Sequence, residues 1–171
     1  MEQAALDLKS LLTDNKDTLL TKWFHLVLET YPKETARHFG NQKSQFANPI
    51  GHNIFEGLDE IYDELSQYAN EDRIFKALDR ILRITAVQDL SPSKAVSFLF
   101  LLKRVVREGL AEELREGKCL QELLDFEDKV DQSILLAFNI YLECRETIYK
   151  MRLHEVKTRC DILERINQYN N

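Results

Sequence analysis

The side chains able to do chemistry are few and scattered. Four histidines, His25, His38, His52 and His154, lie far apart in the chain. None sits in the H-x-x-x-H or H-E-x-x-H spacing that sets two imidazoles on one face of a helix around a metal ion. The three cysteines, Cys119, Cys144 and Cys160, contain no C-x-x-C pair. An odd, widely spaced set suits neither a disulfide framework nor a structural zinc site. Cys144 and Cys160 therefore read as packing or interface residues. Ser91 and Ser93 belong to no pattern that would activate a hydroxyl nucleophile, and no G-x-G-x-x-G or Walker loop offers a phosphate cradle. The densest acidic group, Asp59, Glu60, Asp63 and Glu64, reads as a solvated helix face rather than an acid/base pair. With no catalytic constellation, the chain reads as a non-enzyme without a metal or cofactor.

Composition narrows the class further. The 171 residues are enough for one domain with a sizeable core, and 44% hydrophobic with 30% charged is ordinary for a globular protein. Five glycines and three prolines argue against a loop-rich or all-β architecture. The net charge is −6, and neither half of the chain is basic, which disfavours nucleic-acid binding. The N-terminal stretch MEQAALDLKSLL lacks a basic region followed by an apolar core, so it is not a secretory signal. No run of 18 uncharged apolar residues exists to cross a membrane. The expected location is the cytoplasm, with no membrane insertion.

Apolar residues spaced by three and four predict helices throughout. The spacing predicts a short helix over 3–12 and one over 16–31 carrying Leu19, Leu20, Trp23, Leu26, Val27 and Tyr31, with Pro32 at its end. A short helix follows around 34–39. Asn48-Pro49 opens the next, in which Gly51 and Gly57 allow close backbone approach. Another runs over 72–87, with Ile74, Phe75, Leu78, Ile81, Leu82 and Ile84 inside. The stretch 81–106 is the most informative. Ser91 stands as an N-cap and Pro92 at the first helical position, where its missing N–H costs nothing. The helix beyond, reaching about residue 113, carries Phe98, Leu99, Phe100, Leu101, Leu102, Val105 and Val106 on nearly every side, so it reads as the buried core element. The corner before it, Gln88, Asp89 and Ser91, is a candidate hinge or ligand corner.

After Glu116-Gly117 no Gly or Pro interrupts the chain from Leu120 onward. The result is a helix approaching about 50 residues, on the order of 70 Å long. Ile134, Tyr141, Ile148, Glu155, Ile162 and Tyr169 recur every seven residues, with Cys144 and Met151 beside them. That repeat suggests a helix that leaves the body, residues 145–171 forming its projecting end, and meets a partner. Ile134, Tyr141, Ile148 and Met151 are the candidate dimer interface.

Trp23 followed by Tyr31-Pro32, then Asn48-Pro49-Ile50-Gly51, then ILRITAVQDLSPSKAVSFLFLLKRVVRE, closely resembles the N-terminal domain of the RsbT co-antagonist proteins. These are the sensory heads of the bacterial stressosome. Asp131, Tyr141, Arg145-Glu146, Ile148-Tyr149 and Glu155 extend the likeness, which covers nearly the whole chain. The resemblance implies an all-α, globin-like helical bundle with a long C-terminal helix, without haem and dimeric. A globin's proximal histidine would come from the 72–87 helix, which has no His, Cys, Met or Tyr, leaving only His52 in a distal-like place. In stressosome proteins the last helix leads to a second domain that binds a kinase partner. Here the chain ends at Asn171, so what carries over is a sensor or interaction module acting as a homodimer, with a protein partner unidentified. Two alternatives stand beside it: a haem- or small-ligand-binding sensor globin, and an accessory protein docking on a larger enzyme or electron-transfer complex.

Overall fold

The computed structural model describes residues 7–40, 48–68, 70–88, 90–115 and 119–169, with the side chains of all but His38, Tyr68 and residues 166–169. Every regular element among them is helical. In order they are α1 (Leu8–Asp14), α2 (Lys16–Glu29), α3 (Lys33–Phe39), α4 (Pro49–Asp63), a π-helical turn (Glu64–Tyr68), α5 (Glu71–Val87), α6 (Pro92–Gly109), α7 (Ala111–Leu114) and α8 (Leu120–Tyr169). Leu6, Asp89 and the Glu116-Gly117 break lie outside the described residues.

Local chemistry explains most of the starts and stops. Asp7, Asn48 and Asn70 each accept a backbone N–H three residues on, from Ser10, Gly51 and Arg73, satisfying one of the free donors of a first turn. Asn48 does more: its Nδ2 donates to Phe39 O at 2.8 Å, tying α3 to the start of α4. The space there is tight, because a Cβ on Gly51 would come within 2.2 Å of Phe39 O. Asn15 instead turns back and donates to Leu11 O at 3.0 Å, closing α1 rather than capping α2. The π-helical turn is held by Glu64, whose buried carboxylate accepts from Asn70 N at 3.2 Å and from Arg73 at 2.7 Å. These bonds set the bend between α4 and α5.

One hydrophobic cluster gathers α1, α2, α4, α5, α6 and the first half of α8. Trp23 is fully buried, its ring 6.3 Å from Phe98 and its Nε1 donating to Phe98 O at 2.7 Å. That bond fastens α2 to α6. Gly57 lets α4 close on α5, since a Cβ there would stand 2.7 Å from the Ile81 side chain. Arg107 pairs through both arms with the buried Glu127, and Lys103 reaches Asp131 at 2.9 Å, so charged groups border the α6–α8 seam. Tyr62 donates to Leu12 O at 2.8 Å and joins α4 to α1.

Three expectations change. Phe75 and Phe100, read as interior, are 43% and 53% exposed, because each falls on the side of its helix away from the cluster. Helix α6 ends at Gly109 rather than near residue 113, and the chain restarts as the short α7 after Leu110. Ser91 occupies the N-cap position but makes no side-chain cap bond to α6.

Burial pushes the Tyr31 hydroxyl up to about 12, and pushes Tyr62 still higher, with the neighbouring Asp63 charge adding to it. Both groups thus keep their protons in the folded state after the unfolded chain has begun to lose them. The sign follows from linkage: stability is unaffected below about pH 10 and falls as pH rises beyond it, by about 1.4 kcal/mol per pH unit for each such tyrosine. Urea unfolding across alkaline pH is expected to show this slope, and Tyr62→Phe is expected to remove its own share.

Candidate functional site

The long helix and the corner between α5 and α6 are the places to which the sequence pointed. Helix α8 is 50 residues long, about 75 Å. Up to about Ile148 one side of it packs on α5 and α6; from residue 149 to residue 165 every residue is exposed. Residues 149–169 thus extend about 30 Å beyond the body.

The candidate interface residues divide. Ile134 and Tyr141 are buried within the protomer, 8% and 1% exposed, because their side of α8 is the one that packs on the body. They are spent there and present no surface to a partner. Ile148 is half-buried and Met151 exposed; together with Phe75 and Val87 they line a groove of about 350 Å³ between α5 and α8. Cys144 also lines it, and burial raises its thiol pKa, the opposite of what a reactive thiolate needs.

A different column of α8 faces outward. Leu135, Leu142, Tyr149, Val156 and Leu163 recur every seven residues, and each is exposed, with Phe138 and Leu153 alongside. This column is shifted by a single residue from the one read in the sequence. The seven-residue spacing was the signal for both; burial distinguishes them. The stripe begins on the body and continues along the projecting half.

The corner is fastened to α8. Gln88 is the C-cap of α5, its N–H donating to Thr85 O. Ser91 is exposed, its Oγ 3.3 Å from that of Ser93. Asp89 lies outside the described residues. Two α8 side chains reach this corner: the Tyr141 hydroxyl donates to Leu90 O, and Arg145 donates to Ala86 O at 3.0 Å. Neither bond was foreseen.

The other candidates are structural. Lys16 stands 2.7 Å from Asp59 and 2.6 Å from Asp63, Arg80 is 3.0 Å from Glu60 and Arg73 is 2.7 Å from Glu64, so each carboxylate has a cation beside it, and Glu64 is buried rather than on a solvated face. His52 faces Glu56 at 3.1 Å on the rim of α4, and His25 and His154 are exposed. Among the described residues no three His, Cys, Asp or Glu side chains gather to hold a metal ion, and no helix is long and apolar enough to cross a membrane.

The sequence matches the family described as the RsbT co-antagonist protein rsbRD N-terminal domain over residues 17–156. The chain belongs to this family. The matched region runs from α2 through the body and into the projecting half of α8, so the RsbRD N-terminal domain includes both the corner and most of the outer stripe. No curated protein and no solved structure matches the chain.

The two caps flanking α5 and α6 allow a direct check. Asn70→Ala, which deletes a cap bond, is expected to cost about 1 kcal/mol in urea unfolding. Ser91→Ala, where no cap bond exists, is expected to change stability by less than about 0.5 kcal/mol.

Proposed function

We propose that this RsbRD N-terminal domain is a non-enzymatic signalling module of the stressosome type. In this reading it works in the cytoplasm as a homodimer and transmits the state of its helical body along α8. The observation that carries the proposal is the outer stripe of α8, which crosses from the body onto the projecting half without a break. A row of exposed apolar residues every seven positions is the pattern by which one helix pairs with another. A second copy of the same chain supplies an identical row, so the face is self-complementary, as a two-fold interface must be. The family resemblance, which implies a dimer, supports the same occupant. Cys119, Cys144 and Cys160 form no disulfide with one another, in keeping with a reducing compartment.

The stripe also gives the body a route to signal without catalysis. Helix α8 is at once a wall of the core, through Phe126, Val130, Ile134, Ala137 and Tyr141, and the surface offered to a partner. A change in how the core holds the helix changes what the partner meets.

The test is the oligomeric state. Sedimentation of the full chain is expected to show a dimer at high micromolar concentration. Burial of an aliphatic side chain contributes roughly 1.5–3 kcal/mol. Leu142→Glu with Val156→Glu is therefore expected to weaken association at least about a hundredfold. Trp23 fluorescence should stay native, since neither residue touches the core. A monomeric wild type, or a dimer indifferent to both substitutions, would overturn the reading.

A further inference from the structure

Helix α5 ends with an electrostatic deficit of its own. The last carbonyls of a helix lack intrahelical partners and carry the negative end of its dipole. Basic side chains commonly answer that charge. The last turn of α5 contains none. The cation comes instead from another helix: Arg145 of α8 donates to Ala86 O at 3.0 Å. One turn earlier on α8, Tyr141 donates to Leu90 O, just before α6 begins. Tyr141 is buried and Arg145 half-buried, so neither bond is a fully solvated surface contact. The two side chains are four residues apart and lie on one side of α8. They hold both ends of the α5–α6 corner at the point where α8 leaves the body.

Their position matters for the outer stripe. Leu142 follows Tyr141 directly, about 100° further round the helix, and Tyr149 lies one turn beyond Arg145. A helix is stiff about its axis over so short a distance, so the angle at which Tyr141 and Arg145 are held is also the angle at which Leu142, Tyr149 and Val156 face outward. We propose that Tyr141 and Arg145 form a latch through which the α5–α6 corner controls the rotation of α8, and with it the pairing of two copies. The proposal rests on the dimer reading above and adds its regulation. A ligand or protein that displaces the corner takes Ala86 O and Leu90 O away from their donors. Helix α8 keeps its core packing and its Arg107 and Leu8 ties, but loses these two anchors where it leaves the body, so the stripe beyond Arg145 meets its partner out of register. The corner is the input, the latch the joint and the stripe the output.

The experiment compares the wild-type chain with a Tyr141→Phe, Arg145→Met double variant. The substitutions keep the ring and most of the stem while deleting both donors. Sedimentation gives the dimer dissociation constant, and hydrogen exchange follows peptides spanning 84–92 and 141–149. The expected result is exchange faster by about tenfold in both peptides. The dissociation constant is expected to rise about tenfold, with Trp23 emission unchanged. A dissociation constant that stays at the wild-type value overturns the latch, whether or not the corner exchanges faster. A wild-type chain that is itself monomeric overturns the dimer reading, and is seen before any substitution is made. If the double variant loses native Trp23 emission, Arg145→Met alone carries the comparison, because Arg145 lies outside the hydrophobic cluster.

Discussion

A helix that packs against a body on one side leaves its other side to something else. Nearly every feature of this chain follows from applying that constraint to α8. Its inner face supplies Phe126, Val130, Ile134, Ala137 and Tyr141 to the core that Trp23 and α6 fill from the other direction. Its outer face is exposed, yet it stays apolar at one position in seven from Leu135 to Leu163. Solvated helix faces are normally polar, and this regularity is the feature on which the proposed pairing rests. The family to which the chain belongs supplies the context in which such a surface has a use.

The body itself is built to hold that helix firmly. Arg107 grips Glu127 at the α6–α8 seam, Leu8 N–H donates to Glu122 at 2.6 Å near the start of α8, and Tyr141 with Arg145 fasten its midpoint to the α5–α6 corner. From residue 149 to residue 165 the helix is exposed throughout, and the ion pairs within it are local ones such as Lys150–Glu146 and Arg159–Glu155. Exposed pairs of this spacing contribute only a few tenths of a kcal/mol each.

The sequence made the helices and their order readable because prolines, caps and three-four spacing are local signals. The Asn48-Pro49 start, the Gly51 and Gly57 approaches and the uninterrupted run after Leu120 all stand as the residues suggest. What it concealed depends on direction rather than identity. Ile134, Tyr141 and Ile148 repeat every seven residues, and so do Leu135, Leu142 and Tyr149. Spacing alone does not say which column a protomer keeps for itself. Phe75 and Phe100 are as apolar as their buried neighbours yet point away from the core. Ser91-Pro92 has the composition of a capped start, but the Ser91 hydroxyl lies against Ser93 instead. The π-helical turn has no compositional mark, and the Arg145 and Tyr141 bonds join residues more than fifty positions apart.

The most direct measurement is a cysteine scan from residue 148 to residue 163, in a background with Cys144→Ser and Cys160→Ser. Thiol labelling rates would be read at low and high protein concentration. Pairing through the outer face predicts slower labelling at high concentration for positions 149, 153, 156 and 163, with 148, 151, 155 and 162 unaffected. Protection at the second set, or at no position, would contradict it.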